Sequence, residues 1–252
     1  MKISELTVVI VTNRSDARFE AALESAQFAQ QIVIVDNTVG TMWEQTNWKH
    51  FEKNYPIIVL PHPEKIINFS EVRNKALKKV QTQWVIFLDS DETLSAESGE
   101  EIKKIIEQNL YDAISSKRTD YFLGRPLNYG ETGNLWLTRL FKTKKATFIR
   151  NVHEVVEYEG KLGTANFVIS HFSHNSIQEF LIKITTYAYF ESKNKTTSVS
   201  ENTVQMCIFP IAKFILNYFI KLGFLDGYRG LVYAIMMSLH SFFVRVFYYE
   251  KL

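Results

Sequence analysis

Within the first 110 residues, short apolar runs alternate with stretches whose apolar residues recur at helical spacing. Leu6–Val11, Ile32–Val35, Ile57–Leu60 and Trp84–Leu88 are apolar almost throughout. Strands buried on both faces read this way, and parallel sheets are the sheets buried on both faces. Between the runs, Phe19, Ala22, Leu23 and Ala26 fall at i, i+3, i+4 and i+7 behind Asp16, which predicts a capped helix. Asn68 or Ser70 opens a second helix, with Val72, Ala76, Leu77 and Val80 as its buried face. A third helix follows Ser95, with Ile102, Ile105, Ile106 and Leu110 inward. The pattern predicts an α/β fold with a mostly parallel central sheet flanked by helices.

In such sheets ligands bind beyond the carboxyl ends of the strands. That rule selects Thr12 to Arg14, Asp36, Pro61 to Pro63 and Asp89 to Glu92. After about residue 110 the pattern changes to shorter, mixed strands, at Tyr121–Leu123, Leu137–Lys142, Thr147–Val152 and Phe167–Ser170. From Ile177 onward the chain reads as helical.

Composition narrows the function classes. Twenty-nine basic against 27 acidic residues leave a net charge of +2, which argues against a dedicated nucleic-acid binder. At 46% hydrophobic and 22% charged, the chain is no disordered segment. Cys207 stands alone, so no intrachain disulfide forms and a reducing, cytoplasmic setting fits. The N-terminus shows no signal-peptide pattern. The apolar stretches near the C-terminus are broken by Lys213, Asn217 and Lys221, and by Arg229, His240 and Arg245. Neither matches the roughly 20 uninterrupted apolar residues of a membrane span.

The most specific local string is Val85–Thr93, VIFLDSDET. Asp89 and Asp91 stand two residues apart where a buried strand enters the ligand crevice. Hard cations such as Mg²⁺ or Mn²⁺ take oxygen ligands from one or two carboxylates plus substrate phosphates. The plain alternative is an acidic turn that starts a loop. The D-x-D-x-T spacing also fits the haloacid-dehalogenase-like phosphatases literally. Those enzymes need a further acidic pair downstream, and the later aspartates, Asp112, Asp120 and Asp226, supply none. A nucleotidyltransferase would carry a glycine-rich loop after the first strand, and Thr12–Arg18 contains no glycine.

Seven ordered blocks resemble the family 2 glycosyltransferases, which have a nucleotide-sugar-binding GT-A fold. They are VVIVTNR (Val8–Arg14), IVIVDN (Ile32–Asn37), NFSEVRNKAL (Asn68–Leu77), WVIFLDSDE (Trp84–Glu92), TRLFK (Thr138–Lys142), NVHE (Asn151–Glu154) and ISHFSHNS (Ile169–Ser176). Within the family the chain looks most like bacterial enzymes of the lipopolysaccharide or lipooligosaccharide core, with a β-1,4-glucosyltransferase as the nearest type. The resemblance implies a catalytic domain over 1–176, its nucleotide-binding half 1–110 and its acceptor-side half 111–176, followed by a helical region over 177–252.

The same resemblance implies roles. Thr12, Asn13, Asp36, Arg73, Asn74, Asp89 and Ser90 would line the nucleotide site. Asp91, Asp89 and His171 would hold Mg²⁺ or Mn²⁺. Glu154 would be the general base of an inverting transfer, with His153 orienting it. Arg139 and His174 are acceptor-side candidates. The partners implied are a nucleoside-diphosphate sugar, most simply a UDP-sugar carrying glucose, and a glycolipid or glycan acceptor. A non-catalytic nucleotide-sugar or glycan-binding module is the alternative. The departures fall at the donor end. Arg14 stands where an acidic residue often follows the asparagine, and Asp36-Asn-Thr-Val-Gly40 replaces the usual serine- and aspartate-bearing turn.

Two further features concern surfaces. Residues 103–150 hold ten Lys/Arg against four Asp/Glu, which reads mainly as a solvated face. Residues 204–252 hold 12 of the 35 aromatic side chains, on two helix-like segments, Val204–Leu222 and Tyr228–Tyr249. On the second, Leu231, Ile235, Leu239, Phe242, Val246 and Tyr249 form one stripe. Such a pair packs on the catalytic domain, forms a homodimer, or lies peripherally on the inner membrane.

Overall fold

The computed structural model describes residues 2–38, 57–64, 66, 68–150, 155–174 and 176–251. The chain forms two compact units. One comprises Met1–Arg118 and Trp136–His171; the other comprises Thr119–Leu135 and Phe172–Leu252. The units therefore do not divide at residue 176: residues 119–135 group with the C-terminal helices.

The first unit follows the apolar runs closely. β1 (Ile3–Thr12), β2 (Ala29–Asp36), β3 (Ile57–Pro61) and β4 (Trp84–Asp89) pair in parallel in the order β3-β2-β1-β4. α1 (Ala17–Ser25) starts at Asp16, whose carboxylate accepts from the Arg18 and Phe19 amides. α2 (Phe69–Leu77) starts at Asn68, which accepts from the Glu71 amide. β5 (Glu92–Leu94) precedes α3 (Ala96–Gln108), which Ser95 caps through the Ser98 amide. The side-chain period of two explains why the runs are apolar throughout. Val8, Ile10, Ile34 and Ile86 pack against Phe19, Leu23 and Ile102 on one face. Val9, Val33, Val85 and Phe87 pack against Val72, Ala76 and Leu77 on the other. Leu110 departs from the expected inward face and is 62% exposed. Asn109 takes a left-handed conformation (φ 51°) and ends α3 before its next turn.

The sheet continues through β6 (Ala113–Phe122), β8 (Leu135–Lys142) and β11 (Leu162–His174), in the order β4-β8-β6-β11-β5, and β8 runs antiparallel to β4. The boundaries between the units fall within β6, β8 and β11. β9 (Ala146–Ile149) and β10 (Val155–Tyr158) form a separate antiparallel pair.

In the second unit, β7 (Arg125–Pro126) pairs with the end of β6, Tyr121 and Phe122. Three helices follow: α4 (Ile177–Asn194), α5 (Val199–Ile215) and α6 (Tyr228–Tyr248). A π-helical turn, Leu216–Ile220, extends α5, and Leu222 then takes a left-handed conformation (φ 57°). Phe122, Leu127, Phe180, Ile184 and Met236 form the buried cluster. The stripe on α6 is split: Ile235 and Phe242 are exposed, Leu231, Leu239, Val246 and Tyr249 are half-buried, and the fully buried residues are Gly230, Ala234, Met236, Ser241, Val244 and Tyr248. Small residues let helices approach closely, and a Cβ at Gly230 would collide with the Gly223 carbonyl. Despite their polar interruptions, Val199–Ile220 and Tyr228–Tyr248 are long and apolar enough to cross a membrane by length and composition, which amends the sequence expectation.

Candidate active site

The order β3-β2-β1-β4 places β2 and β3 on one side of β1 and β4 on the other. Chain direction across the sheet thus reverses between β1 and β4, and a crevice opens at their carboxyl ends. Val11 lies opposite Asp89 there, and Thr12 opposite Asp36.

The β1 end is a closed turn. The Thr12 hydroxyl accepts from the Arg14 amide at 3.1 Å and donates to the Arg14 carbonyl at 2.8 Å. This fixes the backbone of Arg14, whose guanidinium reaches Asp16 at 3.5 Å and Asp91 at 3.8 Å. Asn13 is exposed at the strand end. Asp36 is buried and accepts the Thr38 amide at 3.0 Å and the Thr38 hydroxyl at 2.6 Å, both on Oδ1. Asn37 donates to the His62 and Glu64 carbonyls, so the β2 and β3 ends are tied together.

Asp89 ends β4 between two guanidiniums. Arg73 Nη2 donates to Oδ1 at 2.6 Å and Arg139 Nη2 to Oδ2 at 3.1 Å. Arg73 is almost fully buried, and its guanidinium lies over the rings of Phe87 and Phe148. Burial opposes ionisation of Asp89, yet Arg139 and Arg73 outweigh it and hold the carboxyl far below the ordinary carboxylate range. Glu92 has no exposed surface, and its Oε2 accepts from the Asp89 amide at 3.0 Å. Its Oε1 lies 3.5 Å from Arg139 and 3.6 Å from Arg118. Ser90, between the two aspartates, is buried.

Asp91 faces a different partner. β11 pairs antiparallel to β5 with His171 opposite Glu92, and this register brings His171 Nε2 within 3.5 Å of Asp91 Oδ1. Asp91 and His171 are thus a carboxylate and an imidazole side by side, suited to a Mg²⁺ or Mn²⁺ ion that keeps further positions for phosphate oxygens. Each oxygen of Asp89, also expected at the metal, accepts from an arginine. Among the described residues no group of three or more His, Cys, Asp or Glu side chains converges as a metal site.

Other candidates fall elsewhere. Asn74 does not face the crevice cluster. Its amide donates to the Phe148 carbonyl and accepts from the Phe148 amide, both at 2.9 Å, clamping β9. Arg139, expected on the acceptor side, sits among the carboxylates because antiparallel β8 sets Leu140 opposite Ile86. His174 belongs to the second unit, where its ring stacks on Phe180 at 3.9 Å. His153 and Glu154 lie outside the described residues. Arg14 and Glu92 lie in the strand-end segments the sequence selected but were given no individual role, and Arg118 was not selected at all. Four guanidiniums (Arg14, Arg73, Arg118, Arg139) thus meet Asp89, Asp91 and Glu92, with Asp16 a fourth carboxylate on Arg14, and guanidiniums are the groups suited to bidentate contact with a phosphate. A cavity of about 1030 Å³ opens at the opposite strand ends beside Glu5, Gln83 and Lys142; Asn74 lines it, and none of the arginines and carboxylates of the cluster does.

The family model described as Glycosyl transferase family 2 matches residues 6–159. An uncharacterized glycosyltransferase of Rickettsia prowazekii (strain Madrid E) is 23% identical over 258 residues, covering 95% of this chain and 85% of that protein. One from Rickettsia typhi (strain ATCC VR-144 / Wilmington) is 23% identical over 263 residues, with 95% and 85% covered. Among solved structures, S. aureus TarS 1–349 in complex with UDP-GlcNAc superposes with a TM-score of 0.51 at 11% identity, covering all of this chain and 91% of TarS 1–349. The same protein in complex with UDP gives 0.50 at 14% identity, with the same coverage. At such identities the likeness shows the fold.

Proposed function

Because the chain belongs to glycosyltransferase family 2 and carries the GT-A fold, we propose that it is an inverting enzyme that transfers a sugar from a UDP-sugar to a glycan or glycolipid acceptor. The observation that carries this reading is the Asp91–His171 pair facing an arginine-rich crevice at the β1/β4 switch point. Uracil and ribose would contact Asp36, Thr12 and Asn13 at the strand ends. The diphosphate would meet Arg14, whose backbone the Thr12 hydroxyl already fixes. Asp91 and His171 would hold the divalent cation, which when bound neutralises charge on the departing diphosphate.

Glu154 is assigned the base. It removes the proton from the acceptor hydroxyl as that oxygen bonds to the anomeric carbon. The bond from that carbon to the diphosphate breaks, UDP leaves, and the configuration inverts. His153 orients the base. Asp89 serves here as an organiser of Arg73 and Arg139 rather than as a ligand. Glucose as the sugar and a lipopolysaccharide-core heptose as the acceptor complete the proposal, with the cytoplasm as its setting.

A thermal-shift screen with Mn²⁺ across UDP-, GDP- and dTDP-sugars tests the donor, since a bound donor stabilises the fold by mass action. UDP-sugars are expected to raise Tm. Stabilisation by a GDP- or dTDP-sugar alone overturns the assignment. Transfer of label from the stabilising donor separates an enzyme from a binding module.

A further inference from the structure

The rod formed by α5 and its π turn, Val199–Ile220, is built inside out. Its only buried residues are Asn202 and Asn217. Its largest aliphatic and aromatic residues point outward: Val204, Ile208, Ile211, Ile215, Phe219 and Ile220 are each 43–68% exposed. Steps of four, three, four and four residues from Val204 to Phe219 line them along one side. Both asparagines face polar partners. Asn202 donates to the Arg245 carbonyl and accepts from Lys195. Asn217 accepts from the Glu131 amide and donates to the Lys213 carbonyl. The apolar side continues past the rod at Leu225 and Tyr228, both more than half exposed. A patch of this extent marks an interaction surface.

We propose that this face docks in the plane of an anionic lipid bilayer, with α5 parallel to the surface. Three observations select lipid as the occupant. From Asn202 to Leu225 the chain carries no carboxylate, and with Lys213 paired to Glu131 it leaves Lys221 as the basic group beside the apolar side. Lys221 is exposed beside the apolar side, and Arg229 lies over the exposed Tyr228 ring at 4.5 Å. Aliphatic residues below, with basic and aromatic groups at the margin, are the composition of an interfacial helix. The exposed side chains are also spread over α5, the joint and α6 (Ile235, Phe242) rather than gathered into one groove. A fluid apolar phase accepts that spread without shape complementarity.

The same structure argues against spanning. Midway along the rod, Lys213 pairs with Glu131 at 2.5 Å, and Glu131 is held there by Asn217. A helix normal to the membrane would carry that ion pair into hydrocarbon. A helix lying flat keeps it on the side away from Ile208, Ile211 and Ile215.

The inference is independent of the donor chemistry, and so is its test. The full chain is sedimented with phosphatidylcholine vesicles containing one-quarter phosphatidylglycerol, and with pure phosphatidylcholine vesicles. Binding is expected to the anionic vesicles, weakened in 0.5 M salt and by Lys221→Glu, and reversed by alkaline carbonate. Ile208→Asp with Ile211→Asp, at exposed positions, should lower partitioning at least tenfold with an unchanged circular-dichroism melt. If that variant fails to fold, Lys221→Glu and the salt series decide. Failure of the wild type to bind either vesicle overturns the proposal, as does carbonate-resistant insertion. A dimer dispersed by the aspartates, with background vesicle binding, assigns the face to a second copy instead.

Discussion

Arg73 and Asp89 meet at 2.6 Å, with only 4% of the arginine side chain exposed. The contact ties the middle of α2 to the end of β4, and Arg139 completes it from β8 at 3.1 Å. Asp89→Ala leaves two enclosed guanidiniums facing each other. Removing one partner of a buried pair costs about 3–5 kcal/mol, and the partial exposure of Asp89 brings the expectation to about 2–3 kcal/mol. Urea unfolding at pH 7 measures it, and a loss below about 0.5 kcal/mol contradicts the structural role.

The same pair sets an acid limit. Asp89 has a depressed pKa in the folded chain, so its stabilisation is complete above the unfolded value of about 3.9 and disappears as pH falls through the folded value. Wild-type unfolding free energy should therefore decline from about pH 4 downward. Asp89→Asn, which cannot ionise, should show a shallower decline over that window. Parallel slopes in urea titrations at pH 5, 4 and 3 would contradict the linkage.

The parallel strands, the caps at Asp16, Asn68 and Ser95, and the strand-end position of Asp89 and Asp91 were legible because each is a local pattern of a dozen residues or fewer. What stayed hidden depends on pairing between distant segments. The family resemblance named His171 beside Asp91, but the β11/β5 register that brings the two side chains together is a long-range pairing that no local pattern carries. Arg118 and Arg139 reach Glu92 from strands that enter the sheet late in the chain. The family resemblance put Asn74 at the nucleotide together with Arg73, but neighbours on a helix point about 100° apart, and only the long-range contact to β9 shows that its amide pairs with Phe148. The stripe of large residues on α6 left packing, dimerisation and membrane contact open, and the buried face mixes small residues, Gly230, Ala234 and Ser241, with large ones, Met236, Val244 and Tyr248.

His171 and Asp91 divide the proposed cation site between them, which gives unequal expectations. Asp91→Ala removes the charged ligand and should reduce turnover by about 10²-fold or more. His171→Ala leaves the carboxylate, so excess Mn²⁺ should restore much of the activity while the Mn²⁺ concentration needed rises by about 10-fold or more. Electron paramagnetic resonance of free Mn²⁺ in the presence of UDP reads the affinity without turnover. Equal Mn²⁺ affinities for wild type and His171→Ala would remove the histidine from the site.

Glu154→Gln keeps the size of the side chain and removes its basicity. Turnover should fall by about 10²-fold or more while UDP binding, read by calorimetry, is unchanged. The acid limb of the wild-type pH–rate profile should vanish in the residual activity. Near-wild-type turnover would mean that another group takes the acceptor proton.

Asn74 offers a test of positioning rather than contact. Its side-chain amide pairs with both backbone groups of Phe148, and β9 ends at Ile149, immediately ahead of Arg150 and the Asn151–Glu154 block. Asn74→Ala leaves those two backbone groups without their side-chain partner and frees the strand that leads to the proposed base. The expected stability loss is about 1–2 kcal/mol. The expected kinetic signature is a lower kcat at an unchanged KM for the donor, because Arg14, Asp36 and Asp91, the proposed donor contacts, are untouched. Asn74→Asp should not rescue kcat, since a carboxylate can accept from the Phe148 amide but repels its carbonyl. A rise in donor KM with kcat preserved would instead place Asn74 on the nucleotide, and would reverse the division of labour drawn here between the two neighbouring residues of α2.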